Sequence, residues 1–265
     1  MKIAIIAIAK NENNYINEWI DYHLNLGFDN IIICDNDDEL VLTGIVKDSR
    51  VIIEDWTNYY GVQLPAYRET FTKYRNDYDW VLFIDIDEFL ILENHTNVKD
   101  FISSFDNDVQ CINLCWKHFG DERQLNVVGD DYSVFNRFKT VVEPPKSLKM
   151  LVKAFIKTNI PEESIKRISQ HSINDFKIKS VNVLGQEHHG RYIKNIIYKN
   201  AWINHYPTKT IGEYVRQKYF RGGPNRNNIK YHCLKNFFEY NTWTQEKEDY
   251  AKKLIAEYEN THNGQ

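Results

Sequence analysis

The chain has 265 residues, of which 42% are hydrophobic and 26% charged, and its formal net charge is −4 at pH 7. This length suffices for one large domain, and the composition is that of an ordinary globular protein. The weak negative charge excludes a general polyanion-binding protein, so we expect no nucleic acid partner. Aromatic residues make up 14%, a high share that suits the binding of sugar rings or bases as well as core packing.

The four cysteines show neither a C-x-x-C pair nor zinc-finger spacing. Three of them lie in apolar runs, where a reduced cysteine is a small core residue. They are Cys34, Cys111 and Cys115, and the fourth is Cys233. The apolar start 1–9 mimics a signal peptide, but the polar stretch that follows indicates a first β-strand instead. No other segment approaches the about 18 apolar residues of a membrane span. We therefore predict a cytoplasmic protein, at most peripherally associated with the inner face of a membrane.

Strands and helices alternate in the first 90 residues. The predicted strands are 2–9, 30–34, 51–53 and 80–84, and the predicted helices are 13–26 and 63–76. Asn11 or Asn13 is placed to cap the first helix. This alternation predicts an α/β fold with a mostly parallel sheet flanked by helices.

From about residue 98 the pattern becomes irregular. We expect helices at 98–105, 208–220 and 244–259, and strands at 109–116, 149–156, 165–170, 179–184 and 193–203. The polar stretch 117–146 indicates a long excursion, which in compact proteins is usually functional or disordered. No repeat or linker interrupts the chain, so the prediction is one domain, 1–265.

Asp85 and Asp87 follow the apolar run 81–84 at the end of the fourth strand. Sheets of this kind bind ligands at the carboxyl ends of their strands. In extended geometry the two side chains point the same way, and two neighbouring carboxylates attract a divalent cation that also bridges a phosphate. The alternative is a solvated acidic turn, which the apolar residues on both sides argue against.

Polar residues also follow the first two strands, in the stretches 9–12 and 35–37. At a shared sheet edge, a carboxylate such as Asp35 is placed to accept hydrogen bonds from a ribose or a base. The alternative for 35–37 is an Asx-type turn, in which the side chain binds its own backbone.

The order A-I-A-K-N-E, I-I-I-C-D-N and W-V-L-F-I-D-I-D-E-F-L resembles nucleotide-sugar glycosyltransferases of the GT-A fold. More narrowly, it resembles family 2-like and family 92-like enzymes, which carry D-x-D-E-F as a metal-binding signature. The match covers the first 90 residues and resumes at 116–120 and 203–206. It implies a nucleotide-binding half, 1–95, and a more irregular acceptor-side half, 96–265.

The resemblance also implies an activity. The implied activity is that of a hexosyltransferase that uses Mn²⁺ or Mg²⁺ and a UDP-sugar donor, and transfers the sugar with inversion. The acceptor is a hydroxyl of a glycan or lipid-linked glycan, in surface polysaccharide or glycoconjugate synthesis.

Particular residues are implied by the same resemblance. Asp87 is a direct metal ligand, and Asp85 contacts the metal or the ribose. A histidine from the C-terminal half often completes the metal site in such enzymes, which favours His205, with His171 as the rival. The residues implied near the nucleoside are Ala9, Asn11, Glu12 and Asp35.

Lys218 and Arg221 lie three residues apart and share a face of the predicted helix. They are placed to neutralise the departing diphosphate, although a solvated basic face is the alternative. An inverting transfer also needs a carboxylate base. Asp121 is the candidate, with Glu88 as the alternative.

Three other functions are alternatives to a glycosyltransferase. A D-x-D phosphatase or phosphotransferase carries its motif near the start of the fold, whereas here the motif follows the fourth strand. A nucleotidyltransferase shows a glycine- and lysine-rich first loop, which 10–13 lacks. A non-catalytic sugar-binding module leaves three carboxylate-bearing strand ends unexplained.

Overall fold

The computed structural model describes residues 1–57, 59, 61–143, 150–220 and 233–262. The chain divides into two compact units, each built from two separate stretches. The first unit comprises Met1–Lys117 and Lys149–His205, and the second comprises His118–Leu148 and Tyr206–Gln265. Neither unit coincides with the predicted halves 1–95 and 96–265. That the chain acts as one domain stays a prediction.

The first unit contains most of the strands. These are β1 (Ile3–Ala9), β2 (Asn30–Asp35), β3 (Val51–Asp55), β4 (Trp80–Phe83), β5 (Glu88–Leu92), β6 (Cys111–Phe119), β8 (Met150–Lys157), β9 (Ser180–Asn182), β10 (Tyr192–Ile193) and β11 (Ala201–His205). The last two residues of β6 and the whole of β7 (Val141–Val142) belong to the second unit. The helices of the first unit are α1 (Ile16–Asn25), α2 (Leu42–Ile45), α3 (Gln63–Tyr74), α4 (Val98–Ser103) and α6 (Glu162–Ile165).

The strand order is β3-β2-β1-β4-β8-β6-β11-β5. The first four strands pair in parallel, because each is joined to the next by a crossover. The apolar runs of β1, β2 and β4 are buried, as a strand covered on both faces requires, whereas that of the outermost strand β3 is partly buried. This confirms the predicted α/β class and its parallel sheet. Strands β8, β6, β11 and β5 extend the sheet with antiparallel pairs that the sequence did not indicate.

Helix α1 packs its buried face on the sheet through Trp19, whose Nε1 donates to the carbonyl of Glu88 at 2.7 Å. The predicted asparagine cap is wrong, because the N-cap is Tyr15 and no side chain caps the helix. Asn11 has a φ of +59° and lies before the helix, where its backbone turns toward the end of β2.

Two predicted strands differ in the structure. The stretch 165–170 follows a helical turn, α6, since Pro161 precedes it and two acidic residues occupy its first turn. Ile165, Ile168 and Ile173 are buried in the core, and Ile168 pairs with Ile173 only as an isolated β-bridge. The predicted strand 193–203 is two strands, β10 and β11, separated by a stretch without strand structure that ends at Asn200 with a φ of +62°.

The second unit is built on helices. They are α5 (Val134–Arg137), α7 (Ile211–Tyr214), a π-helical turn (Val215–Tyr219), α8 (Leu234–Tyr240) and α9 (Gln245–His262). Ile211, Val215, Phe237 and Ala251 form its apolar core. The predicted helix 208–220 is therefore shorter and changes from α to π geometry, and α8 was not predicted. Pro144 and Pro145 of the predicted excursion lie outside the described residues.

Cys34, Cys111 and Cys115 are buried, as predicted for small core residues. Among the described residues, no helix combines the length and the hydropathy that crossing a membrane requires.

Candidate functional site

The acidic motif forms a turn between β4 and β5. The backbone N–H of Glu88 donates to the carbonyl of Asp85 at 3.1 Å, and the N–H of Asp85 donates to Glu88 Oε2 at 3.1 Å. The expectation that Asp85 and Asp87 share extended geometry is wrong, because the chain reverses direction at residues 86–87. Their side chains consequently have different partners.

Asp87, Glu88 and His205 form one cluster, in which one ligand atom of each lies within 4.8 Å of the others. His205 Nε2 is 3.7 Å from Asp87 Oδ1 and 3.9 Å from Glu88 Oε1. Antiparallel pairing of β5 with β11 places His205 directly opposite Glu88. His205 therefore belongs to the same compact unit as the carboxylates, and the register of two strands brings it there.

Asp85 lies outside this three-residue cluster. Its Oδ1 accepts hydrogen bonds from Gln63 Nε2 at 2.8 Å and from the Tyr67 hydroxyl at 3.0 Å, both on α3. Its Oδ2 is 2.8 Å from the ammonium of Lys153, which also lies 3.3 Å from Glu88 Oε2. Sequence reasoning missed Lys153. The available signal was a single lysine inside the apolar run of β8, which implies a buried counter-charge.

The electrostatics of Lys153 follow from burial and its two neighbours. Burial alone would lower the pKa of Lys153, but the carboxylates of Asp85 and Glu88 outweigh it, so the pKa is raised and the ammonium is charged. Burial raises the pKa of Glu88 well above its usual range, and the charges of Asp85 and Asp87 add to the effect. The charge of Lys153 opposes this rise in the pKa of Glu88.

A divalent cation fits this arrangement. Glu88 is fully buried, and its Oε1 has no hydrogen-bond partner among the described residues although it lies near His205. An orphaned buried carboxylate oxygen is costly unless a positive group binds it. Two carboxylates and an imidazole form a suitable ligand set for Mn²⁺ or Mg²⁺-like ions.

The rival histidine, His171, lies nearby but outside the cluster. The ring of Trp116 contacts both histidines, with centroid distances of 4.5 Å to His205 and 5.3 Å to His171. Burial, with a smaller contribution from the charge of Lys153, lowers the pKa of His171 to about 3. The geometry thus favours His205 over His171 as a ligand.

The ends of β1 and β2 meet because these strands pair in parallel, with Ala9 opposite Asp35. Ala9 is buried, and its carbonyl accepts a hydrogen bond from Asn36 at 2.9 Å. The carboxylate of Asp35 is fully buried and accepts from the backbone N–H groups of Leu42 at 3.1 Å and Asp37 at 3.2 Å. Asp35 thus forms the Asx-type turn of the alternative interpretation.

Asp37, which sequence reasoning did not select, is better placed than Asp35 to bind a ligand. It is 4% exposed, its Oδ1 accepts from the N–H of Asn11 at 2.6 Å, and its Oδ2 has no hydrogen-bond partner among the described residues. Burial raises the pKa of Asp37. Glu12 is buried, and its backbone carbonyl accepts from Tyr15 and Ile16 at the start of α1.

Asp121 is buried in the second unit. Its Oδ2 lies 2.5 Å from the ammonium of Lys247, and its N–H donates to Asn241 Oδ1 at 2.8 Å. A catalytic base needs an oxygen that can reach the acceptor hydroxyl. Asp121 is 5% exposed and Glu88 0%, so neither presents such an oxygen in this structure. Their role as base stays a prediction.

The predicted diphosphate clamp is only partly within the described residues. Lys218 lies in the π-helical turn of the second unit, and its Nζ donates to the carbonyl of Pro207 at 2.6 Å. Arg221 lies outside the described residues. The clamp stays a prediction.

The chain matches the sequence pattern of Glycosyltransferase family 92 over residues 5–237. A glycosyltransferase family 92 protein of Ricinus communis is 24% identical over 161 residues, a match that covers 54% of this chain. The same match covers 29% of the Ricinus protein, so this chain spans less than a third of the curated relative.

Solved structures also show similarity. One is 4-diphosphocytidyl-2C-methyl-D-erythritol synthase from Anaerococcus prevotii, with a TM-score of 0.40 and 11% identity, covering 75% of this chain and 94% of that one. Another is S. aureus TarS 1–349, with a TM-score of 0.38 and 16% identity, covering 60% and 47%. The family match and the geometry of the cluster formed by Asp87, Glu88 and His205 therefore indicate the function.

Proposed function

The chain belongs to glycosyltransferase family 92, and from this membership we propose that it is a glycosyltransferase that uses a divalent cation and a nucleoside diphosphate sugar. The proposed donor is a UDP-sugar, and the proposed acceptor is a hydroxyl of a glycan or lipid-linked glycan. Transfer with inversion, in surface polysaccharide or glycoconjugate synthesis, is part of the same proposal. Membership of this family favours this proposal over a phosphotransferase, a nucleotidyltransferase or a non-catalytic sugar-binding module.

The cluster of Asp87, Glu88 and His205 carries the proposal. It lies at the carboxyl end of β4, where sheets of this kind bind their ligands. Asp87, Glu88 and His205 would hold the cation there. Once bound, the cation would neutralise the diphosphate and stabilise it as a leaving group.

The nucleoside is proposed to bind beside this cluster, at the ends of β1 and β2. Strand β1 pairs with both β2 and β4 in parallel, so the three carboxyl ends share one edge. Asp37 Oδ2 is the proposed acceptor for a ribose hydroxyl or a base imide, since it is buried and has no hydrogen-bond partner among the described residues. The Asp35 carboxylate accepts from the N–H of Asp37, and the N–H of Asn11 donates to Asp37 Oδ1, so both residues support Asp37.

Calorimetric titration of UDP tests the proposal, with Mn²⁺ and with a chelator. UDP and the carboxylates are both anionic, so binding should be at least about tenfold tighter with Mn²⁺. In Asp87→Asn, which keeps the shape but loses the charge, Mn²⁺ should no longer strengthen binding. Equal UDP affinity in Mn²⁺ and chelator for the folded wild-type chain would contradict the proposal.

A further inference from the structure

Lys153 is a fully buried lysine that lies against the acidic turn. It stands on β8, and its Nζ is 2.8 Å from Asp85 Oδ2 and 3.3 Å from Glu88 Oε2. A buried ammonium is stable only when a counter-charge and hydrogen bonds compensate for its lost hydration. One carboxylate would meet that need, yet Lys153 joins two carboxylates that lie at opposite ends of the same turn.

These two carboxylates use their oxygens differently. Both oxygens of Asp85 have donors within the first unit: Lys153 at Oδ2, and Gln63 and Tyr67 at Oδ1. Glu88 Oε2 faces Lys153 and accepts from the Asp85 N–H. Glu88 Oε1 is left on the side of His205, buried and without a hydrogen-bond partner among the described residues.

We propose that Lys153 is a positioning residue of the metal site, because its ammonium binds both Asp85 and Glu88. As a result Glu88, and not Asp85, is the carboxylate that joins Asp87 and His205 as a metal ligand. Lys153 holds Asp85 within the fold and fixes Glu88 with Oε1 toward the cluster. It acts through these two carboxylates rather than on the substrate. The inference rests on the proposed function, because it requires that the cluster binds a divalent cation.

The ligand assignment is tested by the Mn²⁺ affinity of the full chain without nucleotide, measured by calorimetry. The variants Asp87→Asn, Glu88→Gln and Asp85→Asn each keep the side-chain shape and remove one charge. Asp87→Asn and Glu88→Gln should weaken Mn²⁺ binding by about tenfold or more, whereas Asp85→Asn should change it by less than about threefold. A loss in Asp85→Asn as large as that in Glu88→Gln would overturn the inference.

The results also separate this inference from the proposed function. If Asp87→Asn binds Mn²⁺ as the wild type does, the cation site itself is wrong, and with it the proposed function. If Asp87→Asn loses affinity but Glu88→Gln does not, the cation site stands and only the role of Lys153 and Glu88 fails.

A second comparison tests Lys153 directly. In Lys153→Met, Asp85 Oδ2 loses its ammonium partner and becomes available to a cation. Asp85→Asn should then weaken Mn²⁺ binding by about tenfold in the Lys153→Met background, although it has little effect in the wild type. A lysine with only a structural role would give the same effect of Asp85→Asn in both backgrounds, which would overturn the positioning role. Should Lys153→Met not fold, Asp85→Asn and Glu88→Gln in the wild-type chain still decide the ligand assignment.

Discussion

Asp85 and Asp87 are two residues apart, yet their carboxylates have separate partners because the chain turns between them. Asp85 is bound by α3 and by Lys153, whereas Asp87 lies beside His205. The residue types of a D-x-D motif predict that a cation binds nearby. They do not predict which oxygens face it, since that depends on the turn and on a lysine that is distant in sequence.

His205 provides a test at the residue scale. His205→Ala should weaken UDP binding in Mn²⁺ by about tenfold or more, because it removes a cation ligand. His171→Ala is the matched control, since His171 contacts the same Trp116 ring but lies outside the cluster. Calorimetry on both variants checks this. The assignment moves to His171 if that variant is the one that loses Mn²⁺-linked affinity.

Asp121 provides a second residue-scale test. Asp121→Asn removes the counter-charge of Lys247, whose side chain is 3% exposed. Breaking a buried ion pair in this way costs about 3–5 kcal/mol, so urea unfolding should show a clear loss of stability. Lys247→Met breaks the same pair from the other side and leaves the Asp121 carboxylate buried without its counter-charge, so it should cost a similar amount. The double variant Asp121→Asn/Lys247→Met should cost less than the sum of the two single variants. A stable Asp121→Asn protein without turnover would instead support the predicted role of Asp121 as base.

At the scale of elements, strand pairing assembles the site. The register of β5 with β11 places His205 opposite Glu88, and the position of β8 between β4 and β6 buries Lys153. Periodicity predicted β4, β6 and β8 within a few residues and β11 as part of one longer strand, whereas β5 was not predicted. Periodicity carries no information about which strands pair in the second half of the sheet. Neither the position of His205 opposite Glu88 nor the burial of Lys153 beside the acidic turn could therefore be predicted.

Helix α1 is attached to β5 through His23, which is fully buried. Its Nε2 accepts from the N–H of Leu90 at 3.3 Å, and its Nδ1 lies 2.8 Å from the carbonyl of Trp19. Burial lowers the pKa of His23 to about 3, although the hydrogen bond to Trp19 opposes the effect. The folded chain therefore keeps His23 neutral at a pH where the unfolded chain takes up a proton.

This difference predicts a pH dependence of stability. The contribution of His23 is fully present above about pH 6.5, the ordinary histidine pKa, and is lost as the pH falls toward 3, by at most about 1.4 kcal/mol per pH unit. His23→Gln can still donate and accept but does not titrate. The stability gap between wild type and His23→Gln should therefore narrow from pH 8 to pH 5 in urea unfolding. A gap that stays constant over this range would contradict the prediction.

At the scale of the whole molecule, the parallel half was predicted well because its signals are local. Each of β1 to β4 is a short apolar run that ends in polar residues, and those of β1, β2 and β4 are buried, which indicates a parallel sheet with a ligand edge. The antiparallel strands and the helices of the second unit were predicted less well. Their burial depends on long-range pairing, and at 165–170 buried isoleucines lie in a helical turn and an isolated β-bridge rather than in a strand.

We propose that this family 92 protein binds a divalent cation for a nucleotide donor at Asp87, Glu88 and His205. Anomalous X-ray scattering from crystals grown with Mn²⁺ and UDP tests it most directly, because the signal locates the metal independently of the ligand. We predict one manganese peak at bonding distance from all three residues and from the diphosphate, with Asp85 still bound to Lys153. Bound UDP without a manganese peak at these residues, or with manganese held by Asp85 instead of Glu88 and His205, would contradict the account.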